Sequence, residues 1–196
     1  MHIPKKFVAA FFTLCASAIP TGATLAATVS LHSSAIDTAL YAQVFTQEGK
    51  RVLSGALRTC AYAYVESPRT RLHGGRLFLK VHFAARAAAP VQGNCVGTGD
   101  AFDIVVSARP YFKGTVLGLE DFRLEEGKEA YRPLLEILVV QAIPFGLHLD
   151  LREEVAKMLR DPRAPYQVSV PSVTVQSVSA EDDVLSVGID FQVEAK

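Results

Sequence analysis

Hydrophobic and polar residues alternate most regularly between residues 76 and 88. One set of positions is polar or charged (Arg76, Lys80, His82 and Arg86), and the positions between them are apolar (Leu77, Leu79, Val81, Phe83 and Ala85). A period of two places one set in a core and the other in water. The segment is therefore predicted to be a strand with one buried face.

Further segments have a strand-like character. We predict strands over residues 56–66, 101–113 and 115–124, and a closing hairpin from residues 166–178 and 184–194. Between the early strands, Pro68 to Gly75 is predicted to be a turn and Pro90 to Asp100 a glycine-rich loop. Strands of roughly 10–13 residues are about twice the usual length, which favours a strongly curved antiparallel sheet.

Two helical segments complete the pattern. Ser34 and Asp37 form a capping box, and an apolar stripe follows them (Ile36, Leu40 and Val44). A second helix is predicted over residues 128–160, kinked where Pro144 removes a backbone donor. The predicted fold class is α+β: a long curved antiparallel β-sheet wrapped around a long kinked helix, with an N-terminal helix.

The N-terminus has the three-part pattern of a signal peptide. Lys5 and Lys6 precede an apolar run from Phe7 to Ile19, and Thr24-Leu25-Ala26 offers small residues for cleavage. An uncleaved membrane anchor is the alternative, but it would need about 20 apolar residues. We expect residues 1–26 to be removed.

The remaining residues, 27–196, are expected to form a single exported domain in the periplasm. Cys15 lies within the apolar run behind Leu14, where lipid attachment would want a small residue, so no lipid anchor is expected. Loss of the leader moves the formal charge from 0 to −2. Without a basic excess, nucleic acid is not an expected partner.

Cys60 and Cys95 survive cleavage of the leader. An oxidising compartment favours a disulfide between them. A redox pair or a metal site is the alternative, but the chain has no Cys-x-x-Cys and no histidine close enough in sequence to suggest a zinc cluster.

The sequence does not favour an enzyme, and no cofactor or metal is expected. The histidines are scattered, and neither a nucleophile elbow nor a phosphate-binding loop is present. A basic cluster of Arg69, Arg71, His73 and Arg76 falls on the predicted hairpin tip. It could meet anionic lipid headgroups or an acidic partner, or it could simply be solvated.

The segment from Leu134 to Ile143 is apolar nearly all round a helix, whereas a helix on one sheet face needs only one apolar stripe. Packing of the N-terminal helix would explain the excess, and so would a cavity that holds an acyl chain. The candidate walls of such an apolar groove are Leu79, Val81, Phe83, Ile104, Val106, Leu134, Leu135, Leu138, Ile189 and Phe191.

The element order, with the strings Ser34-Ala35-Ile36-Asp37-Thr38-Ala39-Leu40 and Ala108-Arg109-Pro110-Tyr111-Phe112, resembles the YceB-like bacterial envelope proteins. These are similar to single units of the tubular lipid-binding (TULIP) superfamily. The resemblance implies a curved sheet around a long helix, with an apolar groove between them. This chain departs from the lipoprotein members because it lacks a lipidation cysteine.

The expected function is binding or carriage of an apolar ligand, a lipid above all, outside the cytoplasm and without catalysis. The alternative is a ligand-free interaction or assembly module of the envelope with a filled core. An envelope protein or the membrane surface is a further candidate partner.

Cleavage after Ala26 makes Ala27 the first residue of the mature protein. We expect the intact mass of the exported protein to match a start at Ala27, within one residue. A full-length chain retained in the membrane fraction would contradict the predicted export.

Overall fold

The computed structural model describes residues 24–142, 149–159 and 168–195. The strands are β1 (Thr24–His32), β2 (Lys50–Gly55), β3 (Tyr62–His73), β4 (Arg76–Val91), β5 (Asn94–Lys113), β6 (Val116–Glu126), β7 (Val168–Ser169), β8 (Val173–Glu181), β9 (Val184–Gln192) and β10 (Glu194–Ala195). The helices are α1 (Ser33–Gln43), α2 (Arg132–Ala142), which follows a 3-10 turn at Glu129–Tyr131, and α3 (Leu151–Leu159).

Five consecutive strands form one curled antiparallel sheet in the order β2-β3-β4-β5-β6. The alternation in β4 is confirmed, because Leu77, Leu79, Val81 and Phe83 are all buried. Its register with β5 places Leu79 opposite Val106 and Val81 opposite Ile104. The apolar sides of the two longest strands therefore form one continuous inner face.

A second sheet has three strands in the order β1-β9-β8. The predicted closing hairpin is confirmed as β8 and β9, which turn at Asp182 and Asp183. Buried residues from both sheets and from α1 belong to a single hydrophobic cluster. The second sheet and α1 thus help to close the core of the larger sheet.

Two hairpin turns hold the sheets together through hydrogen bonds. The Glu181 carboxylate accepts from the backbone N–H groups of Gly74 (2.9 Å) and Gly75 (3.0 Å) in the β3–β4 turn. Asp183 exchanges bonds with Leu72: its N–H donates to the Leu72 carbonyl (2.9 Å), and its carboxylate accepts from the Leu72 N–H (3.1 Å). The turn of the smaller sheet is thereby fixed to the edge of the larger one.

The first helix is confirmed, but its predicted cap is wrong. His32 is the N-cap, and its Nδ1 accepts from the Ser34 N–H at 3.3 Å. Asp37 does not reach back to the helix start, because its Oδ1 accepts from the backbone N–H and the hydroxyl of Thr70, both at 2.7 Å. The carboxylate therefore anchors α1 to β3.

The predicted α+β class with one long kinked helix is contradicted. The chain is mostly β, and the segment predicted as a helix over residues 128–160 contains the separate short helices α2 and α3. At Leu149 and Asp150, directly before α3, the chain pairs with the start of β6: the Leu117 N–H donates to the Leu149 carbonyl, and the Leu151 N–H donates to the Thr115 carbonyl, both at 2.9 Å. These bonds divert the backbone from a continuous helix.

Two predicted connections are also wrong. Strand β3 runs on to His73, so Pro68 to Gly75 is a turn only at Gly74 and Gly75. The stretch from Pro90 to Asp100 is the end of a β4–β5 ribbon that turns at Gln92 and Gly93. Gly97 is needed there, because a Cβ at this position would clash with Ala87 and Ala88 on the opposite strand.

Strands β1 and β2 were not predicted. Strand β1 starts at Thr24 and pairs along its whole length with β9. Cleavage after Ala26 would remove its first residues, including Leu25, which lies opposite Phe191 and packs against the core.

The predicted disulfide between Cys60 and Cys95 is confirmed, with a Cα–Cα distance of 5.2 Å. Cys60 lies between β2 and β3, and Cys95 lies near the start of β5. The bond therefore ties the projecting β4–β5 ribbon to the body of the sheet.

Replacing both cysteines by serine is expected to lower the free energy of unfolding by about 3–4 kcal/mol, because the unfolded chain then loses its closed loop. Urea unfolding with and without a reductant measures this change. The reductant should destabilise the natural protein to the level of the variant and leave the variant unchanged. Equal stability of the two oxidised proteins would contradict this role of the bond.

Candidate functional site

The predicted groove walls on β4 and β5 lie together on the inner face of the five-stranded sheet. Leu79, Val81 and Phe83 come from β4, and Ile104 and Val106 come from β5. All five are buried and adjacent through the strand register. The sequence pattern therefore located one continuous apolar wall.

Ile189 and Phe191 belong to the second sheet. Both are buried on β9, between β1 and β8, and join the same hydrophobic cluster as the β4 and β5 residues. They approach the inner face from another layer of the fold, which extends the apolar region across both sheets.

The predicted wall residues on α2 differ in their burial. Leu135 is fully buried and lies with Ile104 and Leu124 against Gly127. Leu134 is 46% exposed, so it does not belong to the buried wall. The side chain of Leu138 lies outside the described residues. Helix α2 thus presents apolar side chains both to the core and to solvent.

Two aromatic side chains that the groove prediction omitted, those of Phe102 and Tyr131, lie next to Phe83. The rings of Phe83 and Phe102 are 5.3 Å apart, and the Tyr131 ring lies 5.2 Å from Phe102 and 6.5 Å from Phe83. The Lys128 ammonium lies 5.0 Å from the centre of the Phe102 ring and donates to Asp100 at 2.7 Å. The alternation of Phe102 with its neighbours in β5 could have placed it on the buried face. Tyr131 precedes α2 and shares no periodicity with the sheet, so no strand pattern could have placed it there.

Small apolar cavities flank α1. One has a volume of about 20 Å³ and lies between Ile36, Leu40 and the inner face. The other, of about 60 Å³, lies near Leu31 and Leu149. Ligand pockets usually measure about 300–1,000 Å³, so neither cavity holds an acyl chain, and α1 fills this end of the inner face.

The basic cluster on the solvent-facing side of the sheet is divided by its ionic partners. Arg69, Arg71 and His73 line an open groove of about 730 Å³. Arg76 instead donates to the carboxylate of Asp121 at 2.7 Å and to Ser107 at 3.0 Å. The residues that are clustered in the sequence therefore lie in two different environments, the open groove and the ion pair with Asp121.

Asp121 is the centre of an ionic network. Besides Arg76, its carboxylate accepts from Arg123 at 2.9 Å, and Arg109 lies 3.6 Å away. Hydrogen bonds from Arg76 and then Arg123 lower the pKa of the Asp121 carboxyl. In the same way, hydrogen bonds from Lys80 and His82 lower the pKa of Asp103.

Within the described residues, no group of three or more His, Cys, Asp or Glu side chains could hold a metal ion. Across those same ranges, no helix is both long enough and apolar enough to cross a membrane.

Asp121→Asn should lower the midpoint of thermal unfolding at pH 7, because the arginines lose their charged partner. A carboxyl whose pKa is depressed by folding stabilises the protein above its unfolded pKa, and this contribution is lost as the pH falls through the folded pKa. The difference between the natural protein and the variant should therefore shrink below about pH 4, as thermal melts across pH would show.

Asp182→Asn is the matched control, since both residues have positive φ and Asp182 is exposed. A similar loss in both variants, or a loss that does not depend on pH, would contradict the ionic role of Asp121.

Comparison with known proteins gives no relative of this chain: no family model matches, and no curated protein or solved structure matches either. The resemblance to the YceB-like proteins therefore stays a prediction.

Proposed function

We propose that this protein binds an apolar ligand, a lipid, without catalysis, beside α2 at the aromatic end of the inner face. The observation that carries the proposal is the double-sided apolar surface of α2. Leu135 is fully buried, while Leu134 and Ile137 are 46% and 57% exposed on the same helix. Apolar side chains left in water next to an aromatic cluster are typical of a surface that an apolar partner covers.

The proposed location is the periplasm. The disulfide between Cys60 and Cys95 is compatible with an oxidising compartment outside the cytoplasm. The leader pattern supports export through the inner membrane. An apolar ligand insoluble in that compartment would need a carrier, which agrees with the ligand class.

A ligand-free assembly module is the second candidate. It is favoured by the small volumes of the cavities beside α1, about 20 and 60 Å³. In this case the exposed side of α2 would contact another envelope protein, and the core would need no occupant.

Native mass spectrometry of protein purified from the periplasm separates the two candidates. The carrier should show an added mass that organic extraction removes and identifies as lipid. A clean mass of the chain alone, with no uptake of a fluorescent fatty acid from vesicles, would favour the module and reject the carrier.

Ile137→Ser should reduce uptake of the fluorescent fatty acid and leave stability within about 0.5 kcal/mol, because the side chain is exposed. Val96→Ser is the matched control, since Val96 is 60% exposed but lies on the β4–β5 ribbon and not on α2. Uptake and urea unfolding are measured for both variants. Equal uptake in both would contradict a ligand site beside α2.

A further inference from the structure

Cationic side chains converge on the open groove of the five-stranded sheet. Arg69, Arg71 and His73 occupy alternate positions of β3 and therefore share its solvent-facing side. The register places Arg69 opposite Lys80 and Arg71 opposite Phe78. All five side chains line the same groove, whose volume is about 730 Å³.

Arg69 and Arg71 differ from the other cations of this face. Arg76 and Arg123 bind Asp121, and Lys80 lies 2.8 Å from the carboxylate of Asp103. In the ranges that the structure describes, neither Arg69 nor Arg71 has an ion pair or a side-chain hydrogen bond. Their guanidinium donors are therefore available to a ligand.

Three carboxylates also line the groove, Glu125, Glu126 and Asp183. Glu125 accepts a short hydrogen bond from the Ser107 hydroxyl, which directs it toward β5. Glu126 is on β6, where it lies opposite Val105. Strands β4 and β5 separate both glutamates from Arg69 and Arg71 in the sheet order. The Asp183 carboxylate accepts from the backbone N–H of Leu72 and forms no ion pair with either arginine in the described ranges.

A flat aromatic shelf adjoins the two arginines. The His73 and Phe78 rings stack with their centres 4.0 Å apart and their planes 8° from parallel. Phe78 lies directly opposite Arg71. The stacked rings therefore form one side of the groove beside Arg71.

We propose that the groove binds a phosphate-bearing anion, held by Arg69 and Arg71 beside the His73–Phe78 shelf. A guanidinium group offers paired N–H donors that match two phosphate oxygens. The groove volume falls in the range of small-molecule sites and leaves room for the group esterified to the phosphate. A phospholipid headgroup and a free phosphate ester both present this chemistry.

Sedimentation with vesicles tests the headgroup as the source. The natural protein should bind vesicles of phosphatidylcholine and phosphatidylglycerol in equal parts more tightly than vesicles of phosphatidylcholine alone. The double variant Arg69→Gln/Arg71→Gln should partition about 30-fold less onto the anionic vesicles. Lys113→Gln/Arg152→Gln removes the same formal charge from exposed positions outside the groove and should keep most of the binding.

Titration with glycerol 3-phosphate tests the free ester, and the backbone amide NMR signals of β3, which both proteins possess, report its binding. Shifts in the natural protein that the groove variant lacks identify a free ester, whereas binding to anionic vesicles alone identifies a headgroup. Binding of neither probe overturns the proposal, as does an equal loss in the two double variants.

The single variant Arg71→Lys is the control in case the double variant fails to fold. It keeps the charge and loses the paired donors, so it should melt like the natural protein and bind the responding probe more weakly. Unchanged binding by this variant would reject the paired-donor site. Neither probe depends on α2, so the outcome is independent of the fatty-acid experiment on Ile137.

Discussion

Hydrogen bonds at the unpaired edge of β3 come from two aspartates in distant parts of the chain. Strand β2 pairs with β3 only as far as Glu66, so the N–H groups of Thr70 and Leu72 have no strand partner on that side. Asp37 accepts from Thr70, and Asp183 accepts from Leu72. A buried donor left unpaired costs about 1–3 kcal/mol. Since Asp37 lies on α1 and Asp183 in the β8–β9 turn, completing this edge also fixes the helix and the second sheet over the inner face.

The dependence of β3 on hydrogen bonds from distant residues explains why some elements could be predicted from the sequence and others could not. Strand β4 shows its own pattern, because charged and apolar residues alternate within it. The second half of β3 contains Ser67 and Pro68 and is followed by two glycines, and these residues are local turn signals. Ser67 has a φ of 57°, and the strand register shifts between Glu66 and Arg69, so the strand passes these residues as a bulge. Its stability depends on Asp37 and Asp183, whose contribution no local pattern reveals.

The missing long helix has a similar cause. The apolar spacing between residues 128 and 160 indicates helix correctly for α2 and α3, but not for Leu149 and Asp150, directly before α3. Leu149 and Leu151 satisfy backbone groups at the start of β6. An extended backbone can donate and accept there, whereas a helix would have used these groups internally. Tertiary hydrogen bonding therefore overrides a periodicity that is otherwise valid on each side.

For the candidate binding sites too, the local sequence pattern was not enough. Alternation predicted correctly that Leu79, Val81 and Val106 are buried. The same pattern arises whether protein side chains or a ligand cover these residues, so it could not distinguish a packed core from a binding site. The structure adds two facts: α1 fills its end of the inner face, and Ile137 on α2 remains in water. On the outer face, Arg76 is neutralised by Asp121, 45 residues away, while Arg69 and Arg71 face an open groove. Which part of a charged cluster can bind a ligand is thus decided by long-range partners, because a neighbouring carboxylate offsets the charge of a paired cation and occupies its donors.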